Sequence, residues 1–293
     1  MQNDHSELSP VFIIGNPRSG TTLLRLTLNS HPSICIPPES HFFFWLEQKY
    51  GGWNMKDGLN NYINDLFAST KFETWKIGKN ELVNYINQRE PENYAELNAC
   101  IYLLYAQNND KPNSVWGDKN KLWKEKLPKV QFYYPEARFI HIHRDGRDVA
   151  CSYKELSKRN MTSKYAPKLP SDIKEIAIKW KTNIRYLIDF SKTIDPSKII
   201  TVSYEELVKK QDAIGKELCQ FLGIVEPTHE LSHLSTGANK FDEPEEFMEW
   251  KEKTKQPADI TNIGKYQSIL SRAEIDTFNE ICKEELKALG YLL

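Results

Sequence analysis

The sequence predicts an α/β fold of three layers, with a central parallel β-sheet flanked by helices. Three observations predict it. Short apolar runs at Val11–Ile14 and Ile199–Val202, and an alternating stretch at Arg138–His143, each end at turn or polar residues, as buried strands do. Longer amphipathic stretches separate them, and strands alternating with helices require a parallel sheet covered on both faces. A loop with glycines at both ends, Gly15 to Gly20, joins the first strand to the first helix. Ligands of such sheets bind at the carboxyl ends of the strands.

Each element follows from its residues. Val11-Phe-Ile-Ile14 is a strand stopped by Gly15-Asn-Pro-Arg. Ser19 is placed to cap a helix over Thr22–Leu28, which stops before His31-Pro32. Ser33–Ile36 is a second short strand, broken by Pro37-Pro38. Residues 40–110 read as helices with aromatic buried faces, and with turns at Gly51-Gly52 and near Pro91. Ser114–Trp116 reads as a strand, Leu122–Tyr133 as a helix, Arg138–His143 as a central strand and Asp145–Leu156 as a helix. Ser171–Thr193 is a long amphipathic helix ending at Asp195-Pro196, and Ile199–Val202 is another strand. Glu205–Lys209 and Ala213–Leu222 are helical, with Gly223 closing the second. Residues 226–268 carry weak signals, and Arg272–Leu289 is a helix closed by Gly290. The 293 residues are read as one domain, 1–293.

Composition excludes several classes. Apolar residues make up 40% and charged residues 27%, with 7 Trp, 14 Tyr and 13 Phe; a disordered chain has fewer aromatics and a membrane protein fewer charges. Lys and Arg number 39 against 40 Asp and Glu, which argues against a globally basic nucleic-acid binder. Cys35, Cys100, Cys151, Cys219 and Cys282 are odd in number and contain no C-x-x-C pair, so they read as reduced thiols. There is no run of about 18 apolar residues and no signal-peptide pattern. The expectation is a soluble, cytoplasmic chain with no membrane span and no nucleic-acid partner.

Two motifs carry chemistry. Gly15-Asn-Pro-Arg-Ser-Gly20-Thr-Thr22 has the context of a phosphate cradle: glycines let the backbone approach an anion, and free amides at a helix start point at it. Thr21 stands where a nucleoside-triphosphate loop carries Lys, which argues against ATP or GTP hydrolysis and leaves Arg18 as the cation of the loop. Arg144-Asp-Gly-Arg-Asp-Val-Ala-Cys-Ser152 follows a strand and opens a helix. Its Arg can grip a phosphate with two donors, and Ser152 adds a third.

Pro17 to Thr22 resembles the 5′-phosphosulfate loop of sulfotransferases that use 3′-phosphoadenosine 5′-phosphosulfate (PAPS), and Arg144 to Ser152 resembles their second signature. The resemblance implies a P-loop NTPase-like sulfotransferase fold. It implies that Arg18, Ser19, Gly20, Thr21 and Thr22 hold the 5′ side of the donor and that Arg144 and Ser152 bind its 3′-phosphate. Val202-Ser-Tyr204-Glu-Glu-Leu207 and Phe221-Leu-Gly-Ile224 look like a further family module, which implies Tyr204 beside the adenine. Asn262-Ile-Gly-Lys265-Tyr266 resembles the closing segment, which sets Lys265, with Tyr266 next to it, against the nucleotide. Donor-binding elements are then 11–30, 138–160, 199–224 and 261–268, and acceptor-binding parts are about 40–110 and 226–260.

The stretch His31-Pro32 to Glu39-Ser40 is similar to the tyrosylprotein sulfotransferases and their bacterial relatives, which implies Glu39 as general base. His41 is the competing base. Trp116-Gly-Asp-Lys119 resembles the segment whose Lys touches the transition state, although Asn120 stands where Pro is common. The family also sets a Ser near the sulfuryl group; Ser235 and Ser268 are the positions considered. The implied reaction moves the sulfuryl group from PAPS to a hydroxyl or amine of a small-molecule acceptor, with adenosine 3′,5′-bisphosphate (PAP) as product, no metal, and a monomer or homodimer as the working form. A protein tyrosine, glycan or lipid acceptor is the alternative.

Two rivals come from other classes. A non-catalytic adenosine-phosphate-binding module would need neither Glu39 nor Lys119. His229-Glu-Leu-Ser-His233 is a literal H-E-x-x-H, which on a helix would bind Zn²⁺ and make a metallopeptidase. Pro227 and Gly237 leave little room for that helix, and Thr236 and Asn239 stand where the extended motif has Gly and His. Charge is also uneven. Residues 111–168 hold 14 Lys and Arg against 6 Asp and Glu, while 242–252 holds six acids and one Lys. The expectation is a basic side for the donor and an acidic rim favouring a cationic acceptor.

Overall fold

The computed structural model describes residues 8–54, 58–120, 126–232, 234 and 243–292. The chain runs β1 (Val11–Gly15), α1 (Thr21–Asn29), β2 (Ile34–Cys35), α2 (Phe42–Tyr50), α3 (Asn60–Ala68), α4 (Lys79–Arg89) and α5 (Tyr94–Asn108). It continues with β3 (Val115–Lys119), α6 (Leu127–Tyr133), β4 (Arg138–His143), α7 (Gly146–Ser157), α8 (Ile173–Thr193), β5 (Ile199–Ser203), α9 (Tyr204–Lys209) and α10 (Gln211–Phe221). The short helices α11 (Met248–Lys251) and α12 (Tyr266–Ile269) precede the long α13 (Arg272–Ala288).

The five strands form one parallel sheet in the order β2-β3-β1-β4-β5. Side chains alternate along a strand, so β1 feeds both faces. Val11 and Ile13 join Leu24 and Leu28 of α1 with Ile140, Ile142 and Val202. Phe12 and Ile14 point into an aromatic layer built by α2 to α6. There the Phe12 and Phe139 rings stack at 5.9 Å and Tyr102 stacks on Trp116 at 4.3 Å. The expected helical region 40–110 is thus one wall of the sheet. Among the described residues no helix is long and apolar enough to cross a membrane.

A third core ties α7, α8 and α13 together through Val149, Trp180, Ile184, Phe278 and Cys282. Gly146 opens α7 against it. A Cβ there would lie 2.6 Å from the Phe278 ring and 2.7 Å from the Trp180 ring. Gly146→Ala is expected to destabilise the fold by roughly 1–3 kcal/mol, the usual cost of overpacking a core. A thermal melt unchanged from wild type would contradict this account of the packing.

Three elements differ from expectation. Ser19 does not cap α1; Gly20 is the N-cap residue, in the left-handed region at φ 94, and makes no side-chain cap bond. The second half of the strand expected at Ser114–Trp116 extends to Lys119, because Gly117, Asp118 and Lys119 pair with Val11, Phe12 and Ile13 of β1. Of the helix expected over Leu122–Tyr133, residues 122–125 lie outside the described residues and the helix itself begins at Leu127.

Candidate functional site

The loop after β1 and the helix starts after β1 and β4 converge at the carboxyl edge of the sheet. Two loop residues, Arg18 at φ 70 and Gly20 at φ 94, take left-handed backbone. At position 20 a side chain is excluded twice, by that φ and by Tyr204, whose Cδ2 would lie 2.5 Å from a Cβ. The turn sets Gly20, Thr21 and Thr22 on the wall of a cavity of about 380 Å³. Gly20 is the N-cap and Thr21 and Thr22 are the first residues of α1, so their amides have no acceptor within the helix. Such amides and the positive end of the helix dipole suit an anion.

The second motif closes the cavity from the other side. Arg18 Nε donates to Ser152 Oγ at 3.1 Å, so the two motifs touch. Arg18 Nη1 also donates to the Trp250 carbonyl at 3.2 Å. Burial, and then the neighbouring Arg144, lower the Arg18 pKa to about 10; it stays charged at neutral pH. Arg144 donates to the carbonyls of Arg18 (3.3 Å) and Asn262 (2.6 Å) and lies 4.2 Å over the Tyr204 ring. Its buried Nε has no hydrogen-bond partner among the described residues. The cavity lining carries six cations, Arg18, Arg144, Arg159, Lys251, Lys253 and Lys265, against Glu155, Glu252 and Asp259, a balance that favours a multiply charged anion.

The acidic residues of the second motif hold this geometry and bind the closing segment to it. Asp145 caps α7 by accepting from the Arg147 amide. The Asp148 carboxylate accepts from the amides of Gly264 (2.7 Å) and Tyr266 (3.0 Å), which pins the closing segment to α7. Lys265 lines the cavity. Tyr266 does not; its ring packs 4.2 Å from the Arg147 guanidinium. Ser19 also stays off the lining, with its Oγ buried and without a hydrogen-bond partner among the described residues.

A second, drier cluster sits beside the first. Glu39 follows β2 and is 8% exposed. Trp75 Nε1 donates to the Pro38 carbonyl and fixes the approach of the chain. Glu39 Oε1 accepts from Lys71 Nζ at 2.7 Å and lies 3.1 Å from His41 Nε2. Oε2 lies 3.5 Å from Lys119 Nζ. Burial alone would raise the Glu39 pKa, but Lys119, the His41 bond, Lys71 and Lys251 together hold it well below the usual carboxylate range. Lys119 is the last residue of β3. Next to it, Asp118 accepts from Tyr102 and Asn120, both at 2.7 Å, and burial raises its pKa to about 6. Asn120, where the family commonly has Pro, thus secures this strand end through its side chain.

Sequence reasoning missed four of the buried charges here. Lys71 sits in a left-handed turn at φ 73 and belongs to no motif. Glu243 accepts from Lys251 Nζ at 2.6 Å and pairs with Arg25 Nη2 at 3.1 Å. Burial opposes this ionisation, yet Lys251 and Arg25 bring the Glu243 pKa down to about 2. Arg25 was detectable as a charge inside the leucine-rich helix Leu23–Leu28. The pairing takes Glu243 out of the expected acidic rim, while Glu252 of the same tract lines the cavity. Glu243 is a buried counter-ion, and Glu249 receives the amides of Thr162 and Ser163. Glu245 and Glu246 border a small surface hollow with Thr162–Tyr165, and Asp242 lies outside the described residues.

The rival zinc motif fares differently. Thr228–Ser232 contains no helical turn, because Leu231 inserts into the core with its amide bonded to Asp212 at 3.0 Å. His229 donates to the Ser30 carbonyl instead, and His233, Ser235, Thr236, Gly237 and Asn239 lie outside the described residues. The described residues contain no group of three or more metal-ligating side chains. His141 is packed; burial and then His143 lower its pKa to about 3. Ser268 Oγ donates to the Lys265 carbonyl within its own turn.

The profile of the sulfotransferase family matches residues 10–227. A Caenorhabditis briggsae protein named "Putative protein-tyrosine sulfotransferase" is 27% identical over 76% of this chain and 68% of its own length. Protein-tyrosine sulfotransferase A of Caenorhabditis elegans is 21% identical over 75% of this chain, and the chain spans about half of that relative (51%). Among solved structures, the sulfotransferase domain of the Synechococcus PCC 7002 olefin synthase superposes with a TM-score of 0.64 at 22% identity, over 97% of this chain and 95% of that one.

Proposed function

The chain belongs to the sulfotransferase family, and from that premise we propose that it transfers the sulfuryl group of PAPS to an acceptor hydroxyl and releases PAP. One observation carries this reading. The cradle of α1 and Arg18 and the buried Glu39–Lys119 pair lie at the carboxyl ends of neighbouring strands of one sheet, with Lys251 in the wall of the first and acting on the charge of the second. A site that only bound an adenosine phosphate would have no use for the second cluster.

In the proposed reaction the α1 amides and Arg18 hold the donor's 5′-phosphate. Arg144 and Ser152 hold its 3′-phosphate, Tyr204 flanks the adenine, and Lys265 closes over the nucleotide. The acceptor oxygen attacks sulfur, the bond from sulfur to the 5′-phosphate oxygen breaks, and that oxygen keeps the electron pair. Glu39 takes the acceptor proton, with His41 orienting its carboxylate. Lys119 stabilises the sulfuryl oxygens. Catalysis of this kind is positioning plus charge stabilisation.

Glu39 is a weak base while its lysines are turned toward it. When donor oxygens draw Lys119 away, the carboxylate loses a counter-charge and gains basicity. A weak base still favours an acidic hydroxyl, since a phenol ionises near pH ~10 and an aliphatic alcohol far above it. We therefore favour a phenolic acceptor, a tyrosine side chain or a small phenol; the names of the relatives support the tyrosine form. The five cysteines are free and buried, which supports a reducing compartment and a cytoplasmic acceptor.

The test is incubation with ³⁵S-labelled PAPS and four acceptors: a tyrosine-containing peptide, 2-naphthol, an aliphatic alcohol and a primary amine. Label on the peptide or the naphthol is the expected result. PAP binding with no transfer to any of the four would favour a non-catalytic module.

A further inference from the structure

Lys251 sits at the joint of the two clusters. It lines the donor cavity, and the carbonyl of the preceding residue, Trp250, receives Arg18 Nη1. On its other side its charge acts on both Glu39 and Lys119. Its side chain is 8% exposed, and Nζ donates to Glu243 at 2.6 Å. Glu243 is already paired with Arg25 at 3.1 Å, so one carboxylate serves two cations. An ammonium has three donors, and Glu243 is its one hydrogen-bond partner among the described residues, so donors remain for a ligand of the cavity that Lys251 lines.

The position matches what transfer needs. In the reading above, the sulfuryl group leaves the Arg18 end and bonds to an oxygen beside Glu39. A cation that shares the cavity wall with Arg18 and whose charge reaches Glu39 and Lys119 can meet the equatorial oxygens where charge develops. We propose that Lys251 is a catalytic residue of this transfer, donating from Nζ to the sulfuryl oxygens between Arg18 and Lys119. The S–O bond to the acceptor forms, the S–O bond to the 5′-phosphate breaks with its electron pair on the phosphate oxygen, and the acceptor proton goes to Glu39. Lys251 keeps its own proton throughout. This inference rests on the sulfuryl-transfer reading and extends it to a residue outside both sequence motifs.

The role has a pH signature. Burial, and then Lys119, lower the Lys251 pKa to about 7, against the opposing pull of Glu243 and Glu39. Lys71 also packs on the Phe247 ring, 5.1 Å from its centre, while Lys251 lies 4.8 Å from it. The ammonium is the active form, so activity of the free enzyme falls as pH rises through this value. That limb belongs to kcat/KM for PAPS.

The test compares wild type, Lys251→Met and Lys251→Arg by PAP formation from PAPS with 2-naphthol, whose own ionisation lies well above neutrality. PAP affinity is measured by calorimetry on each protein. Lys251→Met is expected to lower kcat ~100-fold, the usual cost of one lost transition-state donor. PAP lacks the sulfuryl group, so its affinity stays within about threefold. Lys251→Arg restores part of the activity and moves the alkaline limb upward. Retention of kcat in Lys251→Met, or loss of kcat and PAP affinity together in both variants, would overturn the proposal. If wild type forms no PAP with 2-naphthol or the tyrosine peptide, the transfer reading itself fails.

Discussion

Glu39→Gln is expected to lower kcat by ~10²–10⁴-fold, the usual contribution of a positioned general base, while PAP affinity stays within about threefold. The amide keeps the shape of the carboxylate and cannot take a proton. Its cost to the fold is the reason to measure PAP binding in parallel. Lys71, Lys119 and His41 all turn toward this carboxylate, and removing one partner of a buried ion pair is destabilising. A variant that binds PAP normally and does not turn over separates chemistry from folding.

The pH profile separates Glu39 from His41. The Glu39 pKa lies well below the usual value of 4.5, because Lys119, His41, Lys71 and Lys251 outweigh its burial. Its basic form persists as pH falls, so the acid limb of kcat/KM lies below pH 4.5 and activity at mildly acidic pH is retained. An imidazole base would lose activity near pH ~6.5, its ordinary pKa. Wild-type activity that drops through that range, with full kcat in Glu39→Gln, would move the base to His41.

The elements around the cavity at the start of α1 were the most legible part of the chain, because their signals are local. A buried central strand needs a run such as Phe139–Ile142, and a left-handed cradle needs Gly20. The dry cluster was half legible. Glu39 and Lys119 stand in motif-like contexts, whereas Lys71 and Lys251 come from segments whose local pattern says only loop and short turn. A lysine buried by contacts between distant segments leaves no periodic trace. The acidic tract shows the converse. Its charge suggested a rim, but Glu243 meets Arg25 from α1, and no pattern along residues 242–252 encodes a partner more than 200 residues earlier. Ser19 misled for a related reason. Cap statistics favour Ser, but the tight turn out of β1 puts the next residue, a left-handed glycine, at the cap instead.

Arg144→Ala is expected to weaken PAP binding by about 2–4 kcal/mol, the range for truncating one partner of a buried, hydrogen-bonded charge pair. That loss is roughly 30- to 1000-fold in Kd. Two contributions must be separated. Arg144 supports the protein by bonding the Arg18 and Asn262 carbonyls and packing on Tyr204. If it also grips the 3′-phosphate, then adenosine 5′-monophosphate, which lacks that group, should lose far less affinity than PAP in the same variant. Equal losses for the two nucleotides would mean that Arg144 only shapes the cavity. Arg144→Lys sharpens the distinction, since an ammonium keeps the charge but cannot reproduce the two-pronged contact or the stacked plane. Partial recovery for PAP, with the monophosphate near wild type in both variants, is the pattern a 3′-phosphate contact requires.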